Sequence, residues 1–253
     1  VKEMARLGFF GCIAPEKYGG NESGYLAASL MTEEIARISP SWGLPFNLQM
    51  NSIQSVLLAF GTEEQRQRWI PKLINAELLG CFAITEPNTG SDVASMKSTA
   101  VETEGGFVLN GTKMWISGVP VADLGIVYVY TDKAAKHRGM SAFIVDMHSP
   151  GVTQKAIESK LGLFCAPTGE IVFEDVKVPK DCLVGQKGDG FKICMAMLDN
   201  TRLSSAARAV GVARACLEHS VRYANEREQF GQPIASFQMV QEQIAEMYVE
   251  EQA

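Results

Sequence analysis

Thr85-Glu86-Pro87-Asn88-Thr89-Gly90-Ser91-Asp92 follows a short apolar run, Cys81-Phe82-Ala83-Ile84, and precedes a series of segments rich in β-branched and aromatic residues. Pro87 and Gly90 interrupt any regular element, and Asn88, Thr89, Ser91 and Asp92 favour turns. A buried strand is therefore expected to end in a loop rich in hydroxyls and free backbone N–H groups. Such a loop can trace the polar edge of a flat heterocycle and then reach a phosphate or carbonyl beside it. Taken alone, the spacing favours an ordinary polar loop, so its meaning depends on what surrounds it.

Downstream, residues 79 to about 188 read as strands. Phe107-Val108-Leu109 and Thr112-Lys113-Met114-Trp115-Ile116 flank Asn110-Gly111, a two-residue hairpin signal, and Gly105-Gly106 marks another turn. Leu124 to Tyr130, Met140 to Val145 and Ile171 to Val176 are further short strands. No long helical pattern interrupts them, so the sheet is expected to be mainly antiparallel, a sandwich or barrel. Gly185-Gln186-Lys187-Gly188-Asp189-Gly190 lacks the preceding strand and the spacing of a dinucleotide loop, and reads as a linker.

Upstream, residues 1 to about 78 read as helical. Helices are expected over Val1 to Leu7, from Ser23 to Ile38 with Ser39-Pro40 as the stop, over 47–60, and from a capping box at Thr62-Glu63-Glu64-Gln65 until Pro71 bends or breaks it. From Ile38 to Gly61 there is no charged residue, which suits either a bundle core or the wall of a pocket for an uncharged acyl group. After residue 189 the helical pattern returns, with a polar break from Asn225 to Pro233 and a new helix from about Ser236. The fold expected is α+β in three parts: an N-terminal helical domain over 1–78, a middle β domain over 79–188, and the start of a helical bundle over 189–253.

Composition excludes several classes. The 253 residues are 46% hydrophobic and 21% charged with a net charge of −6, so no basic stripe suggests nucleic acid as a partner. No apolar run is long enough for a membrane span. Six cysteines without a Cys-x-x-Cys pair fit free thiols in a reducing compartment. His137, His148 and His219 lack metal-ligand spacing, so no metal is expected. Helical patterns already under way at Val1 and still running at Ala253 suggest the middle of a longer protein.

Residues 82–91, together with Met114-Trp115-Ile116-Ser117, Phe173-Glu174-Asp175-Val176-Lys177-Val178-Pro179, Asp199-Asn200-Thr201-Arg202 and Glu226-Arg227-Glu228-Gln229-Phe230-Gly231, strongly resemble the acyl-CoA dehydrogenase family of flavoenzymes in order and spacing. The resemblance spans the whole chain. It implies FAD as cofactor, an acyl-CoA substrate, electron-transferring flavoprotein as partner, and a tetramer or dimer of dimers. By resemblance, Phe82, Ile84, Thr85, Gly90 and Ser91 line the flavin and its ribityl chain, and Trp115, Ile116 and Ser117 form a second flavin wall. An indole can cover one face of an isoalloxazine, although Trp115 alone would read as a core aromatic. Ser91, Thr131, Asp199, Thr201 and Arg202 match substrate positions, with Arg202 offering a cation to CoA. Arg227, Gln229 and Phe230, and then Phe237 and Gln238, match FAD contacts. Arg202 and Arg227 fall roughly 37 Å apart on one long helix, more than one compact site can use, and in the family the counterpart of Arg227 serves a neighbouring subunit.

The resemblance implies α-proton abstraction by a carboxylate and β-hydride transfer to flavin. Most of the family places that carboxylate beyond the position of Ala253, and some branches place it where Thr201 stands, so no catalytic base is expected in this chain. The nearest branch in appearance is that of glutaryl-CoA and cyclic carboxyl-CoA dehydrogenases. Glutaryl enzymes hold the distal carboxylate with an arginine whose position here is Gly43. That departure predicts a neutral short, branched or cyclic acyl group. The alternatives are glutaryl-CoA dehydrogenase, an acyl-CoA oxidase on the same scaffold, and a non-catalytic flavin-binding protein.

Overall fold

A computed structural model describes all 253 residues. The chain runs from helices through a sheet and back to helices. The first part comprises α1 (Lys2–Arg6), α2 (Gly24–Ile38), α3 (Pro40–Asn47), a π-helix (Leu48–Gln54), α4 (Ser55–Phe60) and α5 (Glu63–Ile74). Pro40 does not only stop α2; it occupies the first turn of α3, where its missing N–H costs nothing. The helix expected over 47–60 forms, but its first half is wound as the π-helix, in which Ser55 N bonds Met50 O. The capping box is present: Gln65 N donates to Thr62 Oγ1 and Thr62 N to Gln65 Oε1. Pro71 does not break α5, because buried Ile70, Leu73 and Ile74 hold its last turn in the core.

The middle part is an eight-stranded sheet ordered β6–β7–β3–β2–β4–β5–β8, with β1 (Gly80–Ala83) paired to β4. The others are β2 (Thr99–Thr103), β3 (Gly106–Ser117), β4 (Leu124–Tyr130), β5 (Met140–Asp146), β6 (Val152–Ala156), β7 (Thr168–Pro179) and β8 (Leu183–Val184). Pairing is antiparallel except for β1 with β4 and a single parallel bridge, Thr99 to Tyr130, that joins the two halves. β4 is buried on both faces. Val127 and Val129 meet Phe107, Leu109, Phe143 and Phe173 inside the β layers, while Ile126 and Tyr128 meet Ile53, Leu57, Ile70 and Met197 of the helices. That explains an apolar run in the sequence where a half-exposed strand would alternate. Each large side chain buried this way contributes about 1.5–3 kcal/mol.

Asn110-Gly111 is not a hairpin, contrary to the dipeptide signal. β3 runs straight through it, and the turn lies at Glu104-Gly105, between paired Thr103 and Gly106. Asn110 instead fixes a bulge against β7: its Nδ2 donates to Asp175 Oδ1 (3.0 Å) and its Oδ1 accepts from Asp175 N (2.9 Å). At Gly111, φ is +146° and a Cβ would stand 2.1 Å from Ser98 Oγ, so glycine is required for packing rather than for turning.

The last part is α6 (Gly190–Glu226), about 55 Å long, then a two-stranded ribbon of β9 (Glu228–Gln229) and β10 (Gln232–Pro233), and α7 (Gln238–Gln252). α2 lies along α6, closest at Gly211, where a Cβ would meet Glu33 O at 2.2 Å.

Candidate active site

A cavity of about 190 Å³ opens where the three parts meet. β1 and the loop after it supply Phe82, Ile84 and Thr85; β3 supplies Trp115, Ile116 and Ser117; α6 supplies Thr201, Ser204, Ser205 and Arg208. Leu44, Asn47, Leu48 and Ser52 of α3 and the π-helix close the remaining side. The charge-free stretch is therefore wall as well as core. Leu44, Leu48 and Ser117 also border a second, apolar cleft of about 320 Å³ that continues past Trp42, Leu79 and Val121.

Local folding aims these side chains. Phe82 leans edge-on against buried Tyr128, ring centroids 5.7 Å apart. A register shift between Lys113 and Ile116 lets β3 bulge at Trp115, whose φ is +62°. The bulge turns the indole outward, leaving it 60% exposed and removing the possibility that it is a core aromatic. Gln49 ties the π-helix to β1, donating to Leu73 O and Leu78 O and accepting from Gly80 N (3.0 Å).

Beneath the cavity lies a buried ion pair that the sequence reading passed over. Lys113 Nζ donates to Glu86 Oε1 (2.9 Å) and Ile84 O (3.1 Å). Glu86 also accepts from Lys97 N (2.6 Å) and Ser98 N (2.9 Å). Burial pushes the Lys113 ammonium down to about 8, with Glu86 offsetting only part of that. Burial raises the Glu86 carboxyl, but Lys113 and the two N–H donors outweigh it and hold it below its ordinary value. The clue in the sequence was a lysine at an inward-facing position of an apolar strand. Arg208 was also missed, though its spacing from Thr201 and Ser204 puts it on one helical stripe.

The remaining expected residues lie outside this cavity. Gly90 and Ser91 are exposed in the loop after β1. Thr131 follows β4, its hydroxyl donating to Gly139 O (3.0 Å) and paired with Ser141 Oγ (2.7 Å). Their neighbours Asp92 and Lys133 border one shallow groove with Lys136 and His137. Asp199 and Arg202 form an exposed ion pair on α6. Arg227, Gln229 and Phe230 project into solvent at the far end of α6, and the Phe230 ring lies 6.1 Å from that of Phe237, with Gln238 opening α7. No carboxylate lines the cavity, and Thr201 Oγ1 is spent on Leu198 O (3.0 Å).

The cavity between helices and a β layer is thus walled by Phe82 and Trp115 and edged by the hydroxyls of Thr85 and Ser117. Comparison with known proteins gives the scaffold its family. Three family models match in sequence order: the acyl-CoA dehydrogenase N-terminal domain over residues 1–77, the middle domain over 81–176 and the C-terminal domain over 188–253. The chain belongs to the acyl-CoA dehydrogenase family. Glutaryl-CoA dehydrogenase of Desulfococcus multivorans is 47% identical over 256 residues, covering 100% of this chain and 66% of the relative. Mitochondrial 2-methylacyl-CoA dehydrogenase of Solanum tuberosum is 42% identical, covering 98% of this chain and 60% of its own length. A solved glutaryl-coenzyme A dehydrogenase–glutaryl-CoA complex superposes with a TM-score of 0.97 at 46% identity, over 99% of this chain and 64% of that one. Butyryl-CoA dehydrogenase from Megasphaera elsdenii gives 0.96 at 35% identity, covering 99% and 67%. The chain thus spans less than two thirds of the first two relatives. No helix is long and apolar enough to cross a membrane.

Proposed function

We propose that the protein desaturates an acyl-CoA thioester between its α and β carbons, with FAD as the bound cofactor. The reading is carried by one observation: Phe82, Ile84, Thr85, Trp115, Ile116, Ser117 and Thr201, drawn from three separate parts of the chain, line a single cavity. FAD suits this chain because Thr85 and Ser117 bring hydroxyls to the cavity wall, and because Trp115 is held outward with its indole 60% exposed. Bound there, FAD would supply the hydride acceptor for the β-hydrogen. Thr85 and Ser117 would donate to its polar edge, while Trp115 and Phe82 would exclude water from it. Gly90 and Ser91, exposed in the loop after β1, would lie along the ribityl chain, as the family resemblance implies.

CoA runs outward past Ser91 and Thr131, whose loops border the groove with Lys133 and Lys136, and Arg202 adds a cation. Arg227, Gln229, Phe230, Phe237 and Gln238 would complete the FAD site of a second subunit, a role that suits the exposure of Arg227, Gln229 and Phe230 beyond the end of α6. The α-proton is taken by a carboxylate that these residues do not supply. Residues 1–78, 79–188 and 189–253 act as the three domains of this arrangement, in a tetramer or dimer of dimers that passes electrons to electron-transferring flavoprotein. The compartment is the cytoplasm in a bacterium or the mitochondrial matrix in a eukaryote.

The test is the visible spectrum of the full-length protein, titrated anaerobically with a panel of acyl-CoAs. Bleaching of the flavin band is expected. A protein that cannot be loaded with FAD, or a flavin that no acyl-CoA bleaches, removes the desaturase reading. Rapid oxygen consumption with substrate would move it to an oxidase.

A further inference from the structure

β3 buries Phe107, Leu109 and Ile116, and with them Lys113, whose side chain is 0% exposed. Its ion-pair partner Glu86 is 6% exposed. A buried ion pair is a poor way to stabilise a fold, because the cost of desolvating two charges is about as large as their attraction. Apolar side chains of similar volume commonly serve as well.

The placement of the pair gives it another use. Lys113 Nζ donates to Ile84 O (3.1 Å), and the N–H of the next residue, Met114, donates to Thr85 O (2.9 Å). Ile84 and Thr85 line the cavity on one side of this seam, and Trp115, Ile116 and Ser117 line it on the other. The ammonium thus sits behind the wall that would face the flavin, held on a carbonyl of that wall. Glu86 is turned towards Lys97 N (2.6 Å) and Ser98 N (2.9 Å), neither of which belongs to a cavity residue. No carboxylate lines the cavity, and its one charged lining residue, Arg208, comes from α6. Burial pulls the Lys113 ammonium down to about 8, which leaves it mainly protonated at neutral pH. A charge fixed in a dry interior acts over several ångströms with little screening. Reduction of a flavin adds negative charge to its ring system, so a buried cation beside the ring favours the reduced state.

We propose that Lys113 raises the reduction potential of FAD bound in this cavity and that Glu86 offsets part of the effect, so that the pair sets how readily the flavin takes the β-hydrogen. This rests on the FAD and acyl-CoA reading above. Lys113 does not line the cavity and acts through Ile84 and Thr85, as a positioning residue.

The experiment is potentiometry of the full-length, FAD-loaded protein against redox dyes, with no acyl-CoA present. Lys113→Met lowers the midpoint potential and Glu86→Gln raises it. Each changes the ratio of reduced to oxidised flavin at a fixed applied potential by about tenfold, which is about 30 mV for a two-electron couple. Lys113→Met combined with Glu86→Gln falls between the two. A pair that only braced the loop would loosen the same wall when cut from either side, and would not give shifts of opposite sign. Shifts of the same sign, or none, overturn the proposal. If one single variant takes up no FAD, the other decides by its own sign: the stated direction supports the proposal, and an unchanged or reversed potential overturns it. A loaded wild type with unmoved variants leaves the desaturase reading standing, whereas a wild type that takes up no FAD removes that reading and this proposal with it.

Discussion

Lys113 Nζ stands 2.9 Å from Glu86 Oε1, and this pair joins the two strands from which the candidate site is built. Glu86 begins the loop after β1, and Lys113 lies two residues before Trp115 on β3. Through Ile84 O, Lys97 N and Ser98 N, the pair also fixes the loop that turns beside the cavity.

Lys113→Met is therefore expected to destabilise the protein by about 3–5 kcal/mol, the range for removing one member of a buried pair. Lys113→Met combined with Glu86→Gln should recover part of that loss, because no carboxylate is then left uncompensated. Urea unfolding of the two variants checks the order; a double variant no more stable than the single one would count against the pair.

The pair also predicts a pH dependence. Folded Lys113 releases its proton near pH 8, against 10.5 for an ordinary lysine. Between those values the unfolded chain binds more protons, so the contribution of Lys113 to stability rises with pH across that window. Below it, the cost of burying the ammonium is fully present. The stability of wild type relative to Lys113→Met should accordingly increase from about pH 8 towards 10.5. A flat or falling difference would show that the ammonium is not depressed.

Gly111→Ala should cost more than the about 1–3 kcal/mol typical of a strained backbone, because its methyl group also meets Ser98 Oγ. Thermal unfolding is the measurement. Ser98→Gly in the same chain should restore only the part due to the Ser98 side chain, leaving the part due to φ and to the Ser98 Cα, which would stand 2.7 Å from the same methyl.

Thr62→Ala should cost about 1 kcal/mol, as a lost helix cap does. Gln65→Ala should cost more, because Gln65 Nε2 also donates to Asp181 O (2.7 Å) and Leu183 O (2.8 Å), tying α5 to the end of the sheet. Equal losses would mean that the two carbonyls find water instead.

Arg202→Gln in the full-length protein should raise KM for acyl-CoA about tenfold or more while changing kcat less, as expected for a cation that binds CoA remote from the reacting carbons. Steady-state kinetics decide this, and a fall in kcat with unchanged KM would place Arg202 elsewhere.

Local chemistry made much of this architecture legible. The Thr62–Gln65 box, the Pro40 boundary and the long apolar run of β4 each announce their structure because the relevant interactions span a few residues. Asn110-Gly111 misled for a physical reason: its turn preference is small beside the pairing of the 12-residue β3 with β7, and Asn110 found a partner in Asp175 instead. Phe82, Thr85, Trp115 and Ser117 could be named from motifs, but their meeting with Thr201 in one cavity could not, since it depends on how α6 crosses the sheet. Arg208 was invisible for the same reason: its place on the cavity wall, packed beside Gly43 of α3, comes from the meeting of two helices far apart in sequence.

The π-helix has a consequence for how such chains can change. Its wider turn lets Leu48 and Ser52 face the cavity while Ile53 and Leu57 enter the core. Loss of a single residue between Met50 and Gln54 would let the segment relax to an ordinary α-helix and rotate everything before it by roughly 100° relative to α4. Gln49 would leave Gly80, and the wall of the cavity would turn away from β1. This stretch therefore tolerates substitution far better than deletion, and length here is as much a determinant of the site as identity.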